Sequence, residues 1–205
     1  MKLTWQGHSC FLLEGESGSL VFDPYAPGSV PGLTLPAMTA DEVVCSHGHR
    51  DHNYRIGIIL TGRENGFRIT AFHSFHDEKQ GTLRGGNQIT LVEAEGLRLV
   101  HLGDQGCMPE RAQIEALHGA DVLMIPVGGY YTIDGAEAWT LTELLEPRIV
   151  IPMHYRGEGF GYGVIGTAET FLKKAGAYTR QAGNTLTVFS GDGQRGVQLL
   201  TPPRV

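Results

Sequence analysis

The segment Glu42-Val43-Val44-Cys45-Ser46-His47-Gly48-His49-Arg50-Asp51-His52 passes from an apolar run into four metal-ligand side chains, His47, His49, Asp51 and His52, within six residues. If the strand stops at His47, His47 and His49 lie on one side of the extended exit, and the following turn can bring Asp51 and His52 round to the same pocket. Imidazole together with carboxylate suits Zn, Fe, Mn or Ni, whereas a thiolate site would draw on cysteines. The three cysteines, Cys10, Cys45 and Cys107, are far apart in sequence, and Cys10 and Cys45 fall in apolar runs that read as core. The bland alternative is a solvated polar loop or a helix face pairing His47 with Asp51. Such loops seldom place three histidines and an aspartate directly after a core strand.

Three other apolar runs end in the same residue types. Phe67–Phe72 leads to His73 and His76-Asp77, Leu97–Leu102 leads through Gly103 to Asp104, and Ile149–Met153 leads to His154. Taken singly, a histidine after a strand is usually structural and an aspartate after glycine is usually a turn residue. Ligands in open α/β sheets gather where strand carboxyl ends meet, so the joint occurrence predicts one convergent site. Of His73 and His76, the alternation from Ile69 and Ala71 puts His73 on their face, while His76 lies beyond the strand, free to turn inward.

The remaining pattern predicts strands at Leu3–Trp5, Cys10–Leu13, Leu20–Phe22, Glu42–Ser46, Gln88–Glu93, Val122–Ile125 and Thr185–Phe189. Helices are expected over Pro109–Leu117, Asp134–Glu146, with Asp134 and Glu137 in capping-box spacing, and Thr167–Ala175 before Gly176. Pro24–Pro36 reads as a surface loop. The 205 residues include 29 glycines, about twice the usual ~7%, which means many tight turns and short elements. With no linker or low-complexity tract, residues 1–205 read as one α/β domain, large enough to bury roughly 70% of its unfolded surface. The formal charge of −6 disfavours nucleic acid, and no apolar run approaches the ~20 residues of a membrane span. Without a recognisable signal segment, a reduced, cytoplasmic protein is expected. A small-molecule substrate is the expected partner, with self-association left open.

The His47-x-His49-x-Asp51-His52 run, with His76, Gly103-Asp104 and Met153-His154, resembles the metallo-β-lactamase superfamily. Trp5-x-Gly7-His8-Ser9-Cys10-Phe11, Phe22-Asp23-Pro24, Arg84-Gly85-Gly86-Asn87, His101-Leu102-Gly103-Asp104, Ile125-Pro126-Val127-Gly128-Gly129 and Ile151-Pro152-Met153-His154-Tyr155 are similar to its branch of small cytoplasmic hydrolases that includes the L-ascorbate-6-phosphate lactonases. The resemblance implies a four-layer αββα sandwich with a metal site at one edge of two sheets. It implies one ion at His47, His49 and His76, a second at Asp51, His52 and His154, and Asp104 bridging them, with Asp51 and Asp104 carrying the chemistry. Up to two divalent ions per chain are expected, zinc first, with Mn, Fe or Ni also suited; such ions bring bound water to a pKa of about 7. Two departures stand out. Cys107 occupies a place where relatives often have histidine, and the connection from His52 to Phe67 is short, predicting a more open pocket.

His8, Asp23 and Asp77 are candidates to orient the ligands, since ligating histidines give their second N–H to a carboxylate or carbonyl. His101 reads as structural and His118 as a surface residue. Arg84, Tyr155 and Arg156 are candidates to meet an anionic substrate. The expected activity is metal-dependent hydrolysis of a small ester, lactone or phosphodiester. The alternatives are a di-iron redox protein, whose relatives put a carboxylate where this chain has His49, and a non-catalytic metal-binding domain, which would have lost ligands first.

Overall fold

The computed structural model describes residues 1–203. In chain order the strands are β1 (Lys2–Gly7), β2 (Cys10–Gly15), β3 (Gly18–Phe22), β4 (Met38–Ala40), β5 (Glu42–Val44), β6 (Ile58–Leu60), β7 (Arg68–Phe75), β8 (Gly86–Ala94), β9 (Leu97–His101), β10 (Val122–Pro126), β11 (Ile149–Met153), β12 (Tyr178–Arg180), β13 (Thr185–Thr187) and β14 (Gly196–Leu199). The helices are α1 (Arg111–Leu117), α2 (Gly135–Leu145) and α3 (Glu169–Ala175).

The strands form two principal sheets, ordered β13-β1-β2-β3-β5 and β12-β14-β11-β10-β9-β8-β7, with β4 and β6 as a separate pair. Side-chain alternation assigns the first sheet two faces. Phe11, Leu13, Leu20, Phe22 and Val44 join the main core between the sheets, while Cys10, Val21 and Val43 face a second, smaller core. In the second sheet the parallel strands β10 and β11 are buried at every position, as a strand covered on both faces must be. Leu117 of α1, Ala138, Leu141 and Leu145 of α2, and Phe171 of α3 belong to the same core. Pro152 is accommodated inside β11 because the pairing with β14 extends only over Ile149 and Val150.

The two stacked sheets of the metallo-β-lactamase fold are present, and of the two outer layers the one over the first sheet is built differently. Over the first sheet pack side chains of residues 24–36 and of the β4–β6 pair, with no α-helix of the described residues in that layer. Pro24–Pro36 is not the expected surface loop, because Tyr25, Val30 and Leu33 are buried against Cys10, Val21 and Val43. The expected Phe67–Phe72 strand runs on to Phe75, carrying His73 in its ladder opposite Gln88 and ending just before His76. The three helices fall within the expected spans, and the Asp134/Glu137 capping box is formed in both directions. Among the described residues no helix is long and apolar enough to cross a membrane.

Gly103 connects β9 to the turn that presents Asp104, with φ +56 and with Asn87 Oδ1 and Ser46 Cβ each 2.4 Å from where a Cβ would stand. Gly103→Ala should therefore cost about 2–4 kcal/mol from strain and overlap together. This would be read as a lower urea midpoint at unchanged slope; a loss under ~1 kcal/mol would show that the turn relaxes freely.

Candidate metal centre

Six strand ends from both sheets meet at one edge of the sandwich. Asp23 follows β3, Ser46 to His52 follow β5, His76 follows β7, Asp104 follows β9, Tyr131 follows β10 and His154 follows β11. Several of these turns are left-handed: φ is 41° at Asp23, 52° at His154 and 52° at His8. Non-glycine residues in that region cost of order 1–3 kcal/mol each and persist only where the surroundings enforce them. Here the turn sends each side chain back over the sheet edge instead of onward into solvent.

Asp104 Oδ2 is the centre of the cluster. It lies 3.1 Å from His154 Nε2, 3.2 Å from His52 Nε2, 3.3 Å from His76 Nε2 and 4.0 Å from His47 Nε2. Two donors on one tetrahedral zinc, each 2.0–2.1 Å from it, stand about 3.3 Å apart. His47, His49 and His76 form one group of mutually close donor atoms, and Asp51, His52 and His154, with His8, form another. Asp104 Oδ1, His47 Nε2 and His52 Nε2 are buried with no hydrogen-bond partner among the described residues. Orphaned polar atoms of this kind cost about 1–3 kcal/mol apiece unless something pairs them. A divalent cation would pair them, so the donor set fits one.

A hydrogen-bonded chain behind the cluster sets the imidazole tautomers. Asp23 Oδ1 accepts the Ser46 backbone N–H at 2.6 Å, and Oδ2 accepts Ser46 Oγ–H at 2.7 Å and His52 Nδ1–H at 2.9 Å. With its proton given to Asp23, Ser46 Oγ accepts from His47 Nδ1 at 2.9 Å. With Nδ1 of both rings committed to this chain, Nε2 is the atom each ring has left to offer a cation in place of a proton. Asn87 Oδ1 accepts the Asp104 backbone N–H at 2.9 Å while its amide donates to Leu102 O and Gln105 Oε1, fixing the Asp104 turn. Burial and then the neighbouring His52 push His47 down to about 3. Burial would raise Asp104, yet His154 and His52 hold it well below the carboxylate range. Burial would lower His52, but Asp104 and Asp23 outweigh it and hold it high.

The model of the β-lactamase superfamily domain matches residues 2–154. The chain belongs to the metallo-β-lactamase superfamily. A metal-dependent hydrolase from Archaeoglobus fulgidus is 30% identical over 76% of this chain and 83% of its own length, and one from Opitutus terrae is 32% identical over 76% and 85%. Among solved structures, a Thermotoga maritima protein assigned to the Zn-dependent hydrolases of the superfamily is 35% identical, covers 97% of both chains and superposes with a TM-score of 0.77.

Within this superfamily fold not every candidate residue reaches the cluster. Asp77 does not orient His76: its carboxylate accepts the backbone N–H groups of Lys79, Gly81, Leu83 and Arg84 and so shapes its own loop. Tyr155 is buried between Trp5 and Phe160, and the exposed Arg156 donates Nε–H to Ile165 O; both line a separate groove. His101 is structural, stacked on Phe22 and bonded to Ser9 O. Arg84 does line the metal cleft, about 280 Å³ in volume, together with Leu83, Tyr131 and Tyr162. Neither tyrosine was a sequence candidate. Tyr131 follows the β10 end and could have been suspected on that ground, whereas Tyr162 sits in a glycine-rich loop without any local signal. His49 is exposed and lines the same cleft. Cys107 contacts Gln105 and Phe75 O beside the cleft rather than in it.

His76→Ala should lower bound zinc per chain by elemental analysis, while His73→Ala, whose ring packs on Phe75, should leave it unchanged. The reverse pattern would overturn the assignment.

Proposed function

We propose that this protein is a metal-dependent hydrolase of a small anionic ester, lactone or phosphodiester. His47, His49 and His76 would hold one ion and Asp51, His52 and His154 a second, with Asp104 between them. Bound there, the ions supply Lewis acidity and bring a coordinated water to a pKa of about 7.

The observation that carries the substrate class is Arg84. It lies in the wall of the cleft with its guanidinium 5.7 Å from the Tyr131 ring centroid, and none of the ion pairs among the described residues involves it. A guanidinium without a carboxylate, facing a His/Asp cluster across a cleft of about 280 Å³, suits a carboxylate or phosphate on a small molecule. The Asp77 hydrogen bonds to the backbone at Leu83 and Arg84 hold that wall in place. Tyr162 O–H lies 3.0 Å from Asp51 Oδ2 and 2.7 Å from Ser29 O. Burial and the Asp51 charge push this phenol well above its usual range, so it remains a neutral donor on the rim. Burial would raise Asp51, yet His8 and His52 hold it below its usual range, so it remains a carboxylate.

The test is a panel of lactones, esters and phosphodiesters, each as an anionic and a neutral member, with zinc- or manganese-loaded protein. Activity should be lost on chelation. Arg84→Ala should raise KM for the anionic member roughly 10–100-fold, the range of a charge-assisted hydrogen bond, with kcat changed by only a few-fold. An equal effect on neutral and anionic members would remove the anion preference. Asp77→Ala should shift KM in the same direction by loosening the loop.

A further inference from the structure

His8, in the β1–β2 turn, is not among the ligands that the metal reading above assigns. Its surroundings are nevertheless those of a ligand. The residue is 1% exposed, and neither ring nitrogen has a hydrogen-bond partner among the described residues. Its Nε2 is 3.3 Å from Asp51 Oδ2, and its ring centroid is 4.1 Å from that of His154 and 5.0 Å from that of His52. The donor atoms of His8, Asp51, His52 and His154 all lie within 4.8 Å of one another. Donors on opposite sides of a single zinc are about 4.2 Å apart, so one ion can reach all four after small adjustments.

The backbone is built to deliver this ring. The β1–β2 register shifts between Trp5 and Gly7, and both Gly7 (φ 96°) and His8 (φ 52°) are left-handed. A Cβ on Gly7 would stand 2.6 Å from Leu33 Cδ1, so the bulge itself requires glycine. The His8 carbonyl accepts the Trp5 indole N–H at 2.9 Å and the His154 backbone N–H at 3.2 Å, tying the turn to the end of β11. A side chain that only packs does not need a bulge, a left-handed backbone and two clamps on its carbonyl. The 3.3 Å from Nε2 to Asp51 Oδ2 is also the spacing of two donors on one zinc.

We propose that His8 is a direct ligand, through Nε2, of the ion held by Asp51, His52 and His154. This rests on the two-ion reading of the site. With Asp104 counted, that ion would have five protein donors, against four for the ion at His47, His49 and His76. The two ions would therefore differ in how many protein donors hold them.

The decisive measurement uses the wild-type protein, labelled with ¹⁵N-histidine and loaded with two equivalents of ¹¹³Cd. One-bond ¹¹³Cd–¹⁵N coupling is expected at His8 Nε2, to the same cadmium resonance that couples to His52 and His154. Coupling at His52 and His154 with none at His8 would overturn the assignment of His8 and leave the two-ion site standing. Failure to take up cadmium, or no coupling at any of these histidines, would overturn the metal reading and this inference with it. In parallel, competition against a chromophoric chelator should show His8→Gln weakening one zinc equivalent at least tenfold and leaving the other unchanged. Equal weakening of both would count against a ligand confined to one ion.

Discussion

A buried carboxylate with one oxygen left unpartnered organises this molecule. Asp104 is 2% exposed, its Oδ1 has no partner among the described residues, and its Oδ2 faces four imidazole nitrogens from three separate segments. A buried charge of this kind is stable only when paired, and pairing here has to come from the centre of the cluster. The glycine turn before Asp104 and the Asn87 amide beside it hold the carboxylate in place. The strain and close contacts at the sheet edge follow from that requirement.

Around this centre the protein separates orientation from binding. Asp23 and Ser46 engage the far-side nitrogens of His52 and His47 and leave the near nitrogens turned to the cluster. Asp77 does comparable work at one remove, organising the loop that carries Leu83 and Arg84 instead of touching a ligand. The small polar cleft over the cluster is not the largest concavity. A groove of about 610 Å³ lies beside Tyr155, Arg156 and Leu172 and has more volume, but no His/Asp cluster of the described residues lies in it. Chemistry, more than size, decides which of the two is the candidate site.

The outer layer over the first sheet shows how a polar-looking sequence can still be structural. Residues 24–36 are rich in proline and glycine, yet they bury Tyr25, Val30 and Leu33, and the Tyr25 hydroxyl donates to Gln6 O at 2.8 Å. Ser29 O and Gly32 in this segment approach Tyr162 and Gly159 closely, so the layer also supports the rim of the cleft.

Local patterning was sufficient for ten of the fourteen strands, the three helices and the ligand-type residues, because period-two burial, capping boxes and strand-end histidines are written in neighbouring positions. The short strands β4, β6, β12 and β14 escaped it, since they do not lie within a longer apolar run of alternating burial. The sequence alone determined which residue types could meet at the strand ends. Only the tertiary structure decided which of them do: Asp77 turned to its own loop and Tyr155 and Arg156 to another groove, while Tyr131 and Tyr162 came to line the cleft and His8 came to lie beside Asp51 and His154. The physical reason is that a side chain's destination depends on the backbone turn that follows its strand and on what packs opposite, and both are set by residues distant in sequence.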